Sequence, residues 1–206
     1  AYVKAMCEDH GLATATPRNE PMAPKTDVFA LVKTGKPMLP GRNIRAAVGQ
    51  LIWTTITRPT ALHSVGLLTR IMHQAKNEHY ELAKGVMKYL KKDISNGLVF
   101  NNNPKMKPNT PEAWCDSSWA DADEMIEWGN PKIDDRERRS TTGYAIFMND
   151  GLISRLSKRQ DVVAMSSPEA ETGALKSCIQ EVLYVRNVLQ EIGFPIEGPT
   201  TIWVDN

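Results

Sequence analysis

Apolar positions in the middle of the chain recur at helical spacing. Ile44, Ala47, Val48, Leu51 and Ile52 mark one face of a helix over 42–57, which Arg58-Pro59 breaks. Leu62, Val65, Leu68 and Met72 line a second helix. A third runs from Asn77 to Lys92, with Leu82, Val86, Tyr89 and Leu90 inward and Lys84, Lys88, Lys91 and Lys92 outward. Ahead of these, residues 1–41 open on a short helical stretch. They then become Pro-rich (Pro17, Pro21, Pro24, Pro37, Pro40), which predicts an extended segment wrapping a neighbour. The stretch 101–111, NNNPKMKPNTP, is a linker by composition.

Beyond the linker the period changes. Residues 113–119 make a short candidate strand, and Gly143 to Met148 a clearer one. Asn149-Asp150-Gly151 is a hairpin signal; Leu152 to Leu156 should pair back, and Val162 to Met165 should extend that strand. A long helix follows. Ser166 or Ser167 can cap it, Pro168 suits its first turn, and Glu169 completes an S-x-x-E box if Ser166 is the cap. Its inward stripe is Leu175, Cys178, Val182, Val185, Leu189 and Ile192, and Gly193 with Pro195 stops it. Thr200 to Val204 reads as a last strand, ending at Asp205-Asn206. A helical crossover into a final strand implies parallel pairing with an earlier one, hence an α/β or α+β sheet with the helix on one face.

Composition narrows the function classes. Apolar residues make up 41% of 206, enough for a core, yet no apolar run reaches the roughly 18 residues of a membrane span. The start, AYVKAMCEDHG, lacks the basic and apolar regions of a signal peptide, and without Met it is expected to be internal to a longer chain. Cys7, Cys115 and Cys178 lie far apart with no CxxC spacing, which fits free thiols of a reducing compartment; with the histidines they give no zinc pattern. The net charge of +1 hides a segregation. From Arg42 to Lys92 the bases 42, 45, 58, 70, 76, 84, 88, 91 and 92 face only Glu78 and Glu81. From Pro111 to Asp135 the acids 112, 116, 121, 123, 124, 127, 134 and 135 face a lone Lys132. A basic module beside an acidic one fits a nucleic-acid grip next to a cation-dependent site. Two solvated surfaces of opposite sign give the same pattern.

Three acids fall at informative places. Asp116 lies within the first strand and Asp205 at the end of the last. Glu171 lies four residues before Leu175 along the inward stripe. If those strands are neighbours, the carboxylates can converge at one sheet edge, which is costly unless cations neutralise them. Hard oxygen ligands suit Mg²⁺, and two such ions can clamp the attacking and leaving oxygens of a phosphodiester. Each acid also has a structural account: a strand-edge polar residue, a helix-dipole acid and a turn residue. Spacing alone leaves both accounts open.

Linked motifs add a resemblance. Asp116-Ser117-Ser118-Trp119-Ala120, Arg138-Arg139-Ser140-Thr141-Thr142-Gly143-Tyr144, Ser166-Ser167-Pro168-Glu169-Ala170-Glu171-Thr172 and Asp205-Asn206 stand in one order. They resemble the "D-A-D-W-A", "R-K-S-T-S-G-Y", "S-S-T-E-A-E-Y" and "D-N" motifs of the ribonuclease H domain of copia-type LTR retrotransposon Pol polyproteins. Gly11 to Pro24 looks like the tail of the reverse transcriptase of that family. Ala47 to Trp53, Thr57-Arg58-Pro59, Met72-His73 and Glu78-His79-Tyr80 are similar to its "L-V-G-S-L-L-Y", "T-R-P-D" and "M-H-x-P-x-x-x-H-W" run.

The resemblance implies four segments. Residues 1–41 would be the Pro-rich end of the reverse transcriptase and 42–100 a basic helical thumb or connection module. The linker 101–111 would lead into an incomplete ribonuclease H-like mixed sheet over 112–206. It further implies Mg²⁺-dependent cleavage (two ions, Mn²⁺ as a substitute) of the RNA strand of an RNA–DNA hybrid. Asp116, Glu171 and Asp205 would be the metal-binding, catalytic acids. Arg70, Lys84, Lys88, Lys91 and Lys92 would contact the nucleic acid. The partners would be the hybrid and the rest of the polyprotein, with no membrane, inside a cytoplasmic virus-like particle. Glu169 competes with Glu171, but sits roughly 200° round the helix from it at about 100° per residue. Several features depart from the family: Ser118, Thr60 and Thr172 replace two acids and an aromatic, no Y-x-D-D occurs, and a fourth acid should lie beyond Asn206. The alternative is therefore a non-catalytic, decayed or domesticated fragment that binds nucleic acid or protein. His63, His73 and His79 are expected to be packing or surface groups, and the tryptophans core.

Overall fold

The computed structural model describes residues 1–24, 26–100, 109–118 and 139–205. The chain divides into two compact units, Ala1–Gly97 and Leu98–Asn206. Motif residues 119, 120, 138 and 206, and the acids between 121 and 135, lie outside the described residues.

The first unit is helical: α1 Tyr2–Asp9, α2 Ala30–Thr34, α3 Ile44–Thr54, α4 Leu62–Ile71 and α5 Asn77–Lys91, with 3-10 turns at Pro59–Ala61 and Met72–Gln74. Asn43 caps α3 by accepting from the Ala46 N–H at 3.1 Å. The predicted faces are largely the buried ones: Ile44, Ala47, Val48 and Leu51 of α3, Val65 and Leu68 of α4, and Val86 and Leu90 of α5 share one cluster. Val3, Met6, Cys7, Leu12 and Val28 belong to the same cluster, so residues 1–41 help build this core. Ile52 departs from expectation at 45% exposed, beside Trp53 at 62%. The inward arc of α3 continues through Leu51 to Thr54, which leaves those two on its outer side. On α5 the arc is centred on Ala83, Val86 and Met87, so Leu82 and Tyr89 pack only at its margins.

The second unit is a four-stranded mixed sheet with a helix packed on it: β1 Glu112–Ser118, β2 Thr141–Met148, β3 Gly151–Arg159, α6 Ser167–Glu191 and β4 Ile202–Trp203. The strand order is β3-β2-β1-β4, antiparallel except for the parallel β1/β4 pair. Asn149 and Asp150 make the hairpin turn with φ of 51° and 63°, the left-handed pair that matches strand twist. Ala113, Cys115, Ile146, Cys178 and Val182 form the core between sheet and helix.

The helix ends are as the sequence writes them. The Ser166 hydroxyl accepts from the Glu169 N–H at 3.4 Å. At the other end Gly193 takes φ +87°, with the Phe194 N–H bonded to the Leu189 carbonyl at 2.8 Å and the Gly193 N–H to that of Gln190. The stripe between them is shifted: Ala170, Ala174, Cys178, Val182 and Leu189 are buried, whereas Ile192 is 61% exposed. Small alanines let the first turns approach the sheet, and Ile192 already belongs to the terminating turn. Val162 to Met165 do not extend a strand. β3 stops at Arg159, where the Gln160 N–H bonds the Ser140 carbonyl at 2.7 Å, and the chain turns towards α6. The last strand is only two residues long, and no described helix is long and apolar enough to cross a membrane.

Trp53, Trp114 and Trp203 are not core residues; the latter two are 42% and 53% exposed. Alternation along β1 sends Ala113 and Cys115 towards α6 and Trp114 and Asp116 to the opposite face. Trp203 is the register partner of Trp114.

Candidate functional site

Strand direction brings the three candidate acids to one sheet edge. β1 and β4 run parallel with Ala113 opposite Ile202 and Trp114 opposite Trp203, and continuing that register sets position 116 level with 205. β3, two antiparallel steps from β1, points the same way, so its end delivers the chain to the start of α6 at that edge. Gln160 ties the parts together. Its side-chain amide donates to Thr142 Oγ1 at 3.1 Å and to the Ala170 carbonyl at 2.8 Å. It thereby fixes the first turn of α6 over the start of β2, where Thr142 pairs with Ser117.

Each acid is then positioned differently. Asp116 is exposed, and its carboxylate accepts from the Ser117 N–H at 2.7 Å. Glu171 is half-buried on the covered side of α6 and accepts from the Ser167 hydroxyl at 3.1 Å. Glu169 is exposed, and its carboxylate accepts from the Met165 N–H at 2.6 Å, a capping contact one residue earlier than the S-x-x-E pattern implies. Asp205 is exposed, beyond the last paired residue of β4. Three carboxylates are the right donor chemistry for Mg²⁺. Among the described residues, however, no three His, Cys, Asp or Glu side chains gather closely enough to hold a metal ion. The reason is the pleat. Asp116 leaves the face opposite α6, while Ser117 turns towards it. Two buried polar atoms without a partner belong to segments meeting this edge: Ser117 Oγ and Arg139 Nε, neither singled out by the sequence.

Under α6 the chemistry is of another kind. Burial pushes the Cys178 thiol up to about 12, with the neighbouring Cys115 adding to the shift. Cys115 is raised by burial as well. Tyr144 is raised first by burial and then by the Glu181 carboxylate, which also accepts from the Ser154 hydroxyl at 2.7 Å.

In the helical unit the candidate nucleic-acid residues fall into two groups. Lys91 donates to the carbonyls of Leu12, Ala13 and Ala15 at 3.0, 2.6 and 2.9 Å. All three ammonium protons thus hold the chain after α1, leaving none for a phosphate. Lys84, Lys88 and Arg70 are half-buried and Lys92 is exposed. Arg58, of the T-R-P motif, is buried and donates to the carbonyls of Asp93 and Ile94 at 2.7 and 2.9 Å, closing the end of α5. His79 is fully buried. Its Nδ1 accepts from the Lys76 N–H at 2.7 Å and its Nε2 meets the Val28 carbonyl at 2.8 Å, which requires the neutral Nε2–H form. His63 and His73 are exposed.

No family model and no solved structure matches the chain. Curated relatives do. An uncharacterized mitochondrial protein of Arabidopsis thaliana is 31% identical over 183 residues, 89% of this chain and 69% of that protein. The retrovirus-related Pol polyprotein from transposon RE1 of Arabidopsis thaliana is 27% identical over 208 residues, covering 100% of this chain and 13% of the polyprotein. The corresponding polyprotein from transposon TNT 1-94 of Nicotiana tabacum is 29% identical, over 93% of this chain and 14% of its own length. Over nearly its whole length, and as a small part of theirs, the chain belongs to the family of retrovirus-related Pol polyproteins of copia-type transposons.

Proposed function

We propose that the sheet unit is a ribonuclease H-like module which, within a complete polyprotein, cuts the RNA strand of an RNA–DNA hybrid. The parallel β1/β4 pair carries this reading, because it sets positions 116 and 205 level at the carboxyl ends of adjacent parallel strands, where open sheets bind ligands. Asp116, Glu171 and Asp205 would hold two Mg²⁺ ions, or Mn²⁺ in their place. When bound, such ions supply an activated water and stabilise the charge on the leaving 3′-oxygen. Glu169 is committed to the helix cap, which leaves Glu171 to face the site, and Gln160 positions the helix start. Arg70, Lys84, Lys88 and Lys92 would follow the hybrid backbone, a sequence-independent contact, while 2′-hydroxyls mark the strand to be cut. The rest of the Pol polyprotein is the natural partner, inside an intracellular particle.

The test is a labelled RNA–DNA hybrid with Mg²⁺ or Mn²⁺, cleaved by a version of the chain continued along its polyprotein. Glu171→Gln should lower the rate by roughly three orders of magnitude, about 4 kcal/mol of barrier. Glu169→Gln should stay within a few-fold of the parent. The reverse order would sink the assignment.

A second reading, a non-catalytic fragment that binds nucleic acid or protein, is favoured by the ungathered carboxylates. It is also favoured by the mitochondrial relative, of which this stretch makes up 69%. On that reading the 206-residue chain binds the hybrid without cutting it, and cleavage comparable to that of the continued version removes it.

A further inference from the structure

Directly behind the candidate edge lies a pair of thiols that the proposed reaction does not use. Cys115, on β1, is 7% exposed and Cys178, on α6, is 0% exposed. Both belong to the five-residue core between sheet and helix, and both are free. The Cys178 S–H donates to the Cys115 sulfur, so the two sulfur atoms face each other across the helix–sheet interface. Cys7 is the internal contrast. It sits in the other unit's core, and its thiol donates to the Met87 carbonyl at 3.7 Å.

We infer that Cys115 and Cys178 are a cross-linking site: a small-molecule disulfide oxidises them to an intramolecular disulfide that staples α6 to β1. Cys115 reacts first, because the hydrogen bond from Cys178 stabilises its thiolate. That thiolate attacks one sulfur of the reagent and expels the other half as a thiolate. Cys178 gives up its proton to that leaving thiolate and attacks the Cys115 sulfur, expelling the second half, which leaves with the proton Cys115 had lost. Two protein thiols are oxidised and one reagent disulfide is reduced to two thiols. Burial sets the pace, since the reagent meets the pair only when the helix lifts locally from the sheet. Once formed, the bond precedes Asp116 by one residue and fixes the helix that carries Glu171.

The full chain is incubated with oxidised glutathione, digested without reductant and mapped by mass spectrometry, with thermal melting in parallel. The expected product is a peptide pair joined through Cys115 and Cys178, with Cys7 recovered as a free thiol. The melting midpoint should rise on the order of 10 °C and fall back on reduction. Cys115→Ala and Cys178→Ala should each abolish the product, and Cys7→Ala should retain it. Separate glutathione adducts on the two thiols, a bridge to Cys7, or no bridge until the chain is unfolded in denaturant would each overturn the inference.

Discussion

The two units use similar lengths of chain to different ends. In the helical unit, α1, α3, α4 and α5 surround one core with large, fully buried side chains such as Met6, Leu51, Leu68, Met87 and Leu90. Its polar groups are drawn into the same packing. His79, Arg58 and Lys91 each close a backbone end or a loop. In the sheet unit the buried cluster among the described residues is five side chains on one face. The other face carries Trp114, half-exposed and edge-on to Phe147 with centroids 5.3 Å apart, beside the exposed Trp203. The lesson concerns where charge is affordable. Around a closed helical core nearly every cation has a structural task, whereas a sheet covered on one side leaves carboxylates at its edge available for chemistry.

Truncation within each region gives the largest separation. Leu51→Ala should cost about 3 kcal/mol, because a fully buried leucine leaves a cavity. Trp203→Ser should cost less than about 0.5 kcal/mol. Urea unfolding read unit by unit through hydrogen exchange checks both, and equal losses would break the contrast between closed and open cores.

Alkaline pH should separate the units next. An unfolded thiol ionises near 9.0, while folded Cys178 holds its proton to about 12. The raised folded value means that its contribution to stability is complete below pH 9 and drains away as pH climbs towards 12. Cys115 and Tyr144 act in the same direction within the sheet unit, against Cys7 alone in the helical unit. The urea midpoint of the sheet unit should therefore fall more between pH 8 and 11, and Cys178→Ala should reduce that fall.

The smallest effect distinguishes among lysines. Lys84→Ala, Lys88→Ala and Lys92→Ala should each flatten the salt dependence of hybrid binding by up to about 0.9 in the log–log slope. Lys91→Met should leave the slope unchanged while loosening the Leu12 to Ala15 turn. A slope that responds to Lys91 would show that its carbonyl contacts give way to phosphate.

Much of this was legible because short-range rules wrote it. Asn43, Ser166 and Gly193 act as caps and stop, Asn149-Asp150 turns the hairpin, and periodicity marks Val48, Leu51, Val86 and Cys178 as inward. What escaped depends on partners distant in sequence. Nothing local says that Lys91 reaches the Leu12 carbonyl, that Arg58 closes α5, or that Gln160 ties a helix to a strand. Ala170 and Ala174 escaped because a hydrophobic stripe is sought among large side chains, yet close helix–sheet approach selects small ones. For the candidate site, the sequence located the acids and the order of elements, but not the pleat that turns Asp116 away from α6.

The brevity of β4 also orders events in time. Ile202 and Trp203 pair only with β1, and Ala113 is met by Ile202 across nearly half the chain, so loop-closure entropy opposes a contact of just two residues. The β2–β3 hairpin, closed by a two-residue turn, has no such handicap. During folding, the hairpin and α6 are thus in place before the final strand docks, and the aspartate that follows β4 reaches the edge last.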